Sequence, residues 1–235
     1  MLITRVIPHP VETADAATDD GRAWLEGEYA PPSGAFVRMN MVTSLTGGAT
    51  GADGTSDTLT SPLDRTVLGI IRAASDVVVV GAQTVRAEKY IVPRRSRLAI
   101  VTATGRLDGL RLGTGDADRV VVLCPADRVD DVRSSLVGRG VDVIPIPGDG
   151  NPAPRAILDA LARRSWHRVV CEGGPGLASQ FADAGVIDEY CVTVAPRIGA
   201  ASAPFLHVDH DLETRPHGLL VDEVGFSYLR LRPRS

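Results

Sequence analysis

Short apolar runs alternate with stretches of helical spacing along most of the chain. Val77, Val78, Val79 and Val80 form a wholly aliphatic run between Asp76 and Gly81, the pattern of a strand buried on both faces. A strand is also expected over residues 35–43, where Phe36, Val37, Met39 and Met41 are apolar. Others are expected at 98–101, 119–123, 141–144, 168–171 and 189–194, with a closing strand near 226–231. Between them, Ser61 reads as a helix cap and Pro62 as a first helical residue, followed by Leu63, Val67, Leu68, Ile70 and Ile71. Further helices are expected at 129–138, 154–164 and 176–184. Alternating strands and helices predict an α/β domain with a mostly parallel central sheet and helices on both faces. The last strands arrive without a helix between them, so an antiparallel edge is expected. Residues 1–34 lack strong periodicity and carry four prolines, Pro8, Pro10, Pro31 and Pro32. They are expected to form a strap on the surface, with a short helix near 23–28, in front of a single domain over 35–235.

Composition narrows the function classes. With 44% hydrophobic and 23% charged residues among 235, the chain has the make-up of a globular domain. A net charge of −4 and only 4% aromatic residues argue against a nucleic-acid partner. Of 25 basic residues only Lys89 is lysine, a compositional bias that carries no functional signal by itself. No apolar stretch is long enough to span a membrane. The N-terminus turns acidic by Glu12 without an apolar core, so no leader peptide is expected. Cys124, Cys171 and Cys191 are far apart and flanked by apolar residues, as in a reduced, cytoplasmic protein. His207 and His210 lack further ligands nearby, and no metal site is expected.

Candidate chemistry lies in four segments. Gly81 ends the valine strand, and Thr84 follows at a strand-to-helix turn, where free N–H groups attract phosphate; Thr84 can equally cap a helix there. Cys171-Glu172-Gly173-Gly174-Pro175-Gly176-Leu177 places paired glycines between a strand and a helix. This lets a pyrophosphate approach bare amides, although the spacing is not that of a dinucleotide fingerprint. Ser44 opens a glycine-rich loop that runs to Gly54. Glu88, four residues after Thr84, would serve as a substrate anchor or proton donor if burial raised its pKa.

In order, these segments resemble the reductase domain of bacterial riboflavin biosynthesis, which has the dihydrofolate-reductase fold. The stretches are NMVTSLTG from Asn40, TSPLDR from Thr60, IRAASDVVVVGAQTVRAEK from Ile71, CEGGPGL from Cys171 and VIDEYCVTVAPRIG from Val186. The resemblance implies NADPH as hydride donor and a pyrimidine-type heterocycle as substrate. It implies cofactor contacts at Gly81, Thr84, Val85, Thr102, Thr104, Arg106, Glu172, Gly173, Gly174, Pro175 and Leu177, with Arg106 for the 2′-phosphate. It puts Asn40, Ser44, Ser61 and Glu88 toward the substrate, the catalytic group being Glu88, Asn40 and Ser44. It also implies a homodimer. Three positions depart from the usual pattern: Thr46 and Asn40 stand where aspartate and lysine are usual, and Glu88 where aspartate is common. A pterin reductase and a non-catalytic NADPH-binding paralogue are the alternatives.

Overall fold

The computed structural model describes residues 1–88, 90–108, 110–113, 115–148, 150–199 and 203–234. The chain runs β1 (Leu2–Ile7), β2 (Glu12–Asp15), α1 (Asp19–Glu28), β3 (Phe36–Ser44), α2 (Pro62–Ala73), β4 (Val77–Gly81), α3 (Ala82–Glu88) and β5 (Arg97–Val101). It continues through β6 (Val120–Pro125), α4 (Val129–Ser135), β7 (Asp142–Ile146), α5 (Pro154–Ala162), β8 (Arg168–Cys171), α6 (Pro175–Asp183), β9 (Glu189–Ala195), β10 (Thr214–Asp222) and β11 (Ser227–Pro233). All eleven strands join one sheet, ordered β2-β1-β10-β11-β9-β3-β8-β4-β5-β6-β7. From β9 to β7 neighbouring strands are parallel, and from β9 to β2 they are antiparallel.

The expected mostly parallel sheet with an antiparallel edge is what forms. Alternate residues of each central strand face opposite layers. Val78, Val80, Leu98, Ile100 and Val122 pack with α1, α2, α3 and α4. Val77, Val79, Ala99, Val101 and Leu123 pack with α5 and α6. Helix α2 shows why the sequence folds this way. The Ser61 hydroxyl accepts from the Asp64 N–H at its start, and Pro62 occupies the first turn. Leu63, Val67, Ile70 and Ile71 then fall on one buried face.

Residues 1–34 depart from the expected surface strap. They supply β1 and β2, which pair onto β10, and α1, which begins at Asp19 rather than near residue 23. The reason is a buried charge cluster that weak local periodicity does not reveal. Arg38 on β3 donates to the Tyr29 carbonyl at 2.6 Å and to the Glu189 carboxylate at 2.9 Å. Arg230 on β11 donates to the Glu28 carbonyl, and to its carboxylate at 3.1 Å. The end of α1 is thereby fastened to β3 and β11. Also unexpected was β10, whose alternation is broken by Pro216 and Gly218 at a register shift.

Glu189 is fully buried. Burial alone would raise its pKa, but Arg38, Arg230 and Arg232 outweigh it and hold the carboxyl below the ordinary range. Removing one partner of a buried pair costs about 3–5 kcal/mol, because the other charges are left uncompensated. Glu189→Ala is therefore expected to lower unfolding free energy by about that amount in urea titrations near neutral pH. The wild-type stabilisation from this carboxylate is complete above about pH 4.3, the ordinary glutamate value. It is lost as pH falls through the lower folded-state value, so the gap between wild type and variant should narrow in acid.

Candidate active site

Strand β8 inserts between β3 and β4, so Cys171 lies beside both Met39 and Val79. Beyond the strand ends the pairing continues. The Glu172 N–H donates to the Val79 carbonyl at 2.9 Å, and the Gly81 N–H to the Gly173 carbonyl at 2.7 Å. The Gly174 N–H then donates to Thr84 Oγ1 at 2.7 Å, across 90 residues of sequence. The two glycine segments thus form one floor at the carboxyl ends of the parallel strands, where open α/β sheets hold ligands.

The geometry changes how that floor works. The amides of Gly81 and Gly174 are not bare, since each is committed to the opposite segment. Thr84 is not a helix cap. It lies inside α3 and its hydroxyl accepts from Gly174. Gly173 has φ +77°, and the peptide joining it to Gly174 is cis. A Cβ at Gly174 would stand 2.7 Å from Thr84 Oγ1. A side chain there would displace the Thr84 hydroxyl and cost its hydrogen bond to the Gly174 N–H. Among the described residues, the first-turn amide of α6 left free is that of Gly176, since Leu177 and Ala178 both donate to the Gly174 carbonyl at 3.0 Å.

Above this floor lies a cleft of about 630 Å³. Of the residues singled out in the sequence, Asn40, Gly81, Thr84, Glu88, Thr102, Thr104, Glu172, Gly174, Pro175 and Leu177 line it. Five expected residues do not. Val85 is buried in the core under α3. Gly173 supplies the carbonyl that Gly81 takes. Ser44 is buried at the base of the loop, where its hydroxyl accepts from the Gly48 N–H at 3.0 Å. Ser61 caps α2 and lies 3.4 Å from the Tyr228 hydroxyl. Arg106 points to solvent beside Asp108, and its carbonyl accepts from Arg86, the arginine that does line this end of the cleft. Glu88 is exposed, so the burial expected of a proton donor is missing. Its carboxylate accepts from the Ser56 N–H at 3.3 Å.

Among the lining residues that sequence reasoning did not single out are Arg86, Asp64, Arg72 and Tyr90. Arg72, in the last turn of α2, grips both oxygens of Glu172 at 2.7 Å. It also donates to the Tyr90 hydroxyl at 2.7 Å, and that hydroxyl donates to Glu172. Burial works against the charged guanidinium, but Glu172 outweighs it and raises the Arg72 pKa. Burial, and then the Glu172 carboxylate, push the Tyr90 hydroxyl well above its ordinary range, so it stays protonated. Asp64 is 7% exposed, and burial is the main cause that raises its pKa to about 6. No local spacing marks Arg72, because it meets Glu172 only through the packing of α2 on the sheet. The substitution at Thr46 falls outside the cleft lining. Its hydroxyl donates to the Gly199 carbonyl at 2.7 Å and lies 3.0 Å from Ser44 Oγ.

The family described as the RibD C-terminal domain matches residues 35–224. The riboflavin biosynthesis protein RibD of Mycobacterium tuberculosis is 31% identical over 165 residues, covering 68% of this chain. The chain spans only 42% of the length of that relative. Among solved structures, a pyrimidine reductase-like protein of Corynebacterium diphtheriae superposes with a TM-score of 0.75 at 23% identity, covering 86% of this chain and 92% of its own. The riboflavin biosynthesis reductase Rib7 of Saccharomyces cerevisiae superposes with a TM-score of 0.67 at 14% identity, covering 94% and 100%. At these identities the two structures speak for the fold. Together with the glycine floor and the order of the five sequence stretches, the family match over residues 35–224 means that this chain belongs to the RibD C-terminal domain family.

Proposed function

We infer that the protein is an NADPH-dependent reductase whose substrate resembles 5-amino-6-(5-phosphoribosylamino)uracil. The observation that carries this is the convergence of the Gly81–Thr84 and Gly174–Leu177 segments on one cleft, in a member of a family of riboflavin-biosynthesis proteins. The cleft is large enough for a dinucleotide end and a heterocycle together, within the range of small-molecule sites.

The residues present fit the cofactor. Gly174 has no side chain and holds the Thr84 hydroxyl through its N–H, which keeps the floor flat beneath a ligand. The free Gly176 amide and the start of α6 suit an anionic pyrophosphate. Arg86, with Thr102 and Thr104, lines the end assigned to the 2′-phosphate, a task for which Arg86 replaces Arg106. When bound, NADPH supplies the hydride. The chain supplies position and charge. Arg72 and Tyr90 lock the Glu172 carboxylate in one orientation at the cleft wall. Asn40, where the family usually carries lysine, presents an amide that can donate to and accept from a heterocycle edge.

Incubating the protein with NADPH and the ribosylaminopyrimidine should consume reduced nicotinamide and yield the ribityl product by mass spectrometry. No consumption with that substrate would contradict the assignment, and consumption with dihydrofolate alone would move it to a pterin. Gly174→Val should weaken NADPH binding at least about tenfold, a loss of about 1.4 kcal/mol, because the side chain displaces the Thr84 hydroxyl and stands in the cleft floor. Unchanged affinity in that variant, measured by fluorescence titration, would mean the cofactor lies elsewhere.

A further inference from the structure

Asp64 is a buried carboxyl in the cleft wall that makes no ion pair among the described residues; its side-chain hydrogen-bond partner is the Thr193 hydroxyl. The spacing Ser61-x-x-Asp64 is that of a capping box, in which the acidic side chain reaches back to the cap amide. Here only half of it forms: the Asp64 N–H donates to Ser61 Oγ at 3.0 Å, and no bond returns from the Ser61 N–H to the carboxyl. Among the described residues Asp64 has no ion pair within 4.0 Å, and its neighbour Arg65 pairs instead with Asp57. It is not solvated either, being 7% exposed while it lines the cleft. The other two carboxylates of the cleft are occupied or open to water. Glu172 is held by Arg72 and Tyr90, and Glu88 is exposed on the Ser56 amide.

The groups around Asp64 come from four elements. Arg65 is on its own helix, Thr193 on β9, Tyr228 on β11 and Asp222 at the end of β10. The Tyr228 hydroxyl donates to Asp222 at 2.9 Å, and Asp222 is held by the amides of Val224 and Phe226. Burial is the largest influence on Asp64 and Asp222 adds to it, while the Thr193 hydroxyl and Arg65 act against it. The outcome, about 6, leaves a useful fraction protonated near neutral pH, as a general acid requires.

We propose that Asp64 is the proton donor to the substrate in this cleft. The step rests on the reductase assignment above. In a ribosylaminopyrimidine, the lone pair of the exocyclic nitrogen forms a C1′=N bond as the C1′–O4′ bond breaks. The O4′ oxygen leaves with that electron pair and takes the Asp64 proton, becoming the new hydroxyl. C1′ then accepts the hydride that the bound nicotinamide supplies, and the π pair of C=N returns to nitrogen. One hydride and one proton are consumed, and water reprotonates the Asp64 carboxylate before the next turnover.

The test compares wild type, Asp64→Asn and Asp64→Glu. Wild-type kcat/KM is expected to fall about tenfold per pH unit above about pH 6. Asp64→Asn should lose that limb and about 100-fold in kcat, with NADPH affinity unchanged, and Asp64→Glu should restore part of the loss. Two further readouts do not need turnover. The Asp64 carboxyl carbon, identified by its loss in Asp64→Asn, should titrate near pH 6 by NMR. Its folded-state pKa lies above the unfolded value, so ionisation costs stability as pH rises through that window. Asp64→Asn should therefore raise Tm at about pH 7.5 and leave it unchanged at about pH 4. Titration near pH 4, or a lowered Tm at the higher pH, would overturn the proposal. Turnover in Asp64→Asn with the wild-type pH profile would overturn the role of Asp64 while leaving the reductase intact. Absent wild-type turnover would overturn the reductase assignment, and the proton step with it.

Discussion

The site depends on the placement of β8 between β3 and β4. Parallel pairing puts Cys171 opposite Val79, and the next three residues have then almost no freedom. Glu172 bonds back to Val79, Gly173 receives the Gly81 amide, and Gly174 meets Thr84. A side chain at Gly174 would displace the Thr84 hydroxyl and break this contact. The same placement delivers Glu172 to Arg72, so the bidentate ion pair joins the sheet to α2 in the cleft wall. A buried ion pair of this kind adds little net stability, but it costs much if half is removed. Its value here is geometric: one carboxylate, in one orientation, in the cleft wall.

The antiparallel half of the sheet has a supporting part. Arg38 and Arg230 bind both the end of α1 and the buried Glu189 or Glu28 carboxylates, so residues 1–34 are built into the fold. Behind the cleft, β9 and β11 carry Thr193 and Tyr228 toward the first turn of α2. The environment that raises the Asp64 pKa is therefore assembled from strands far apart in sequence, all ordered by one sheet.

How legible the molecule was in its sequence follows from the range of each interaction. The central strands and α2 could be read directly, because unbroken valine runs and the Ser61-Pro62 start depend on near neighbours. Residues 1–34 and β10 could not: the end of α1 is held by arginines distant in sequence, β1 pairs with the late strand β10, and β10 is interrupted by proline and glycine. In the site, the glycines were legible as turns, but not their pairing with one another. Ser44 and Ser61 have the chemistry of a site residue, yet their hydroxyls are used up on a loop amide and a helix amide. Arg72 and Tyr90 carry no local signature, and the spacing of Asp64 from Ser61 marks only a helix start. Their significance arises from burial and from partners that only the fold brings near.

The central claim is that three separated segments form one cofactor site. Backbone amide shifts followed by NMR during an NADPH titration test it most directly. The account predicts that amides of residues 81–88, 102–106 and 174–178 shift together, with one common dissociation constant. Shifts confined to one of these segments, or centred on a different face of the sheet, would contradict it.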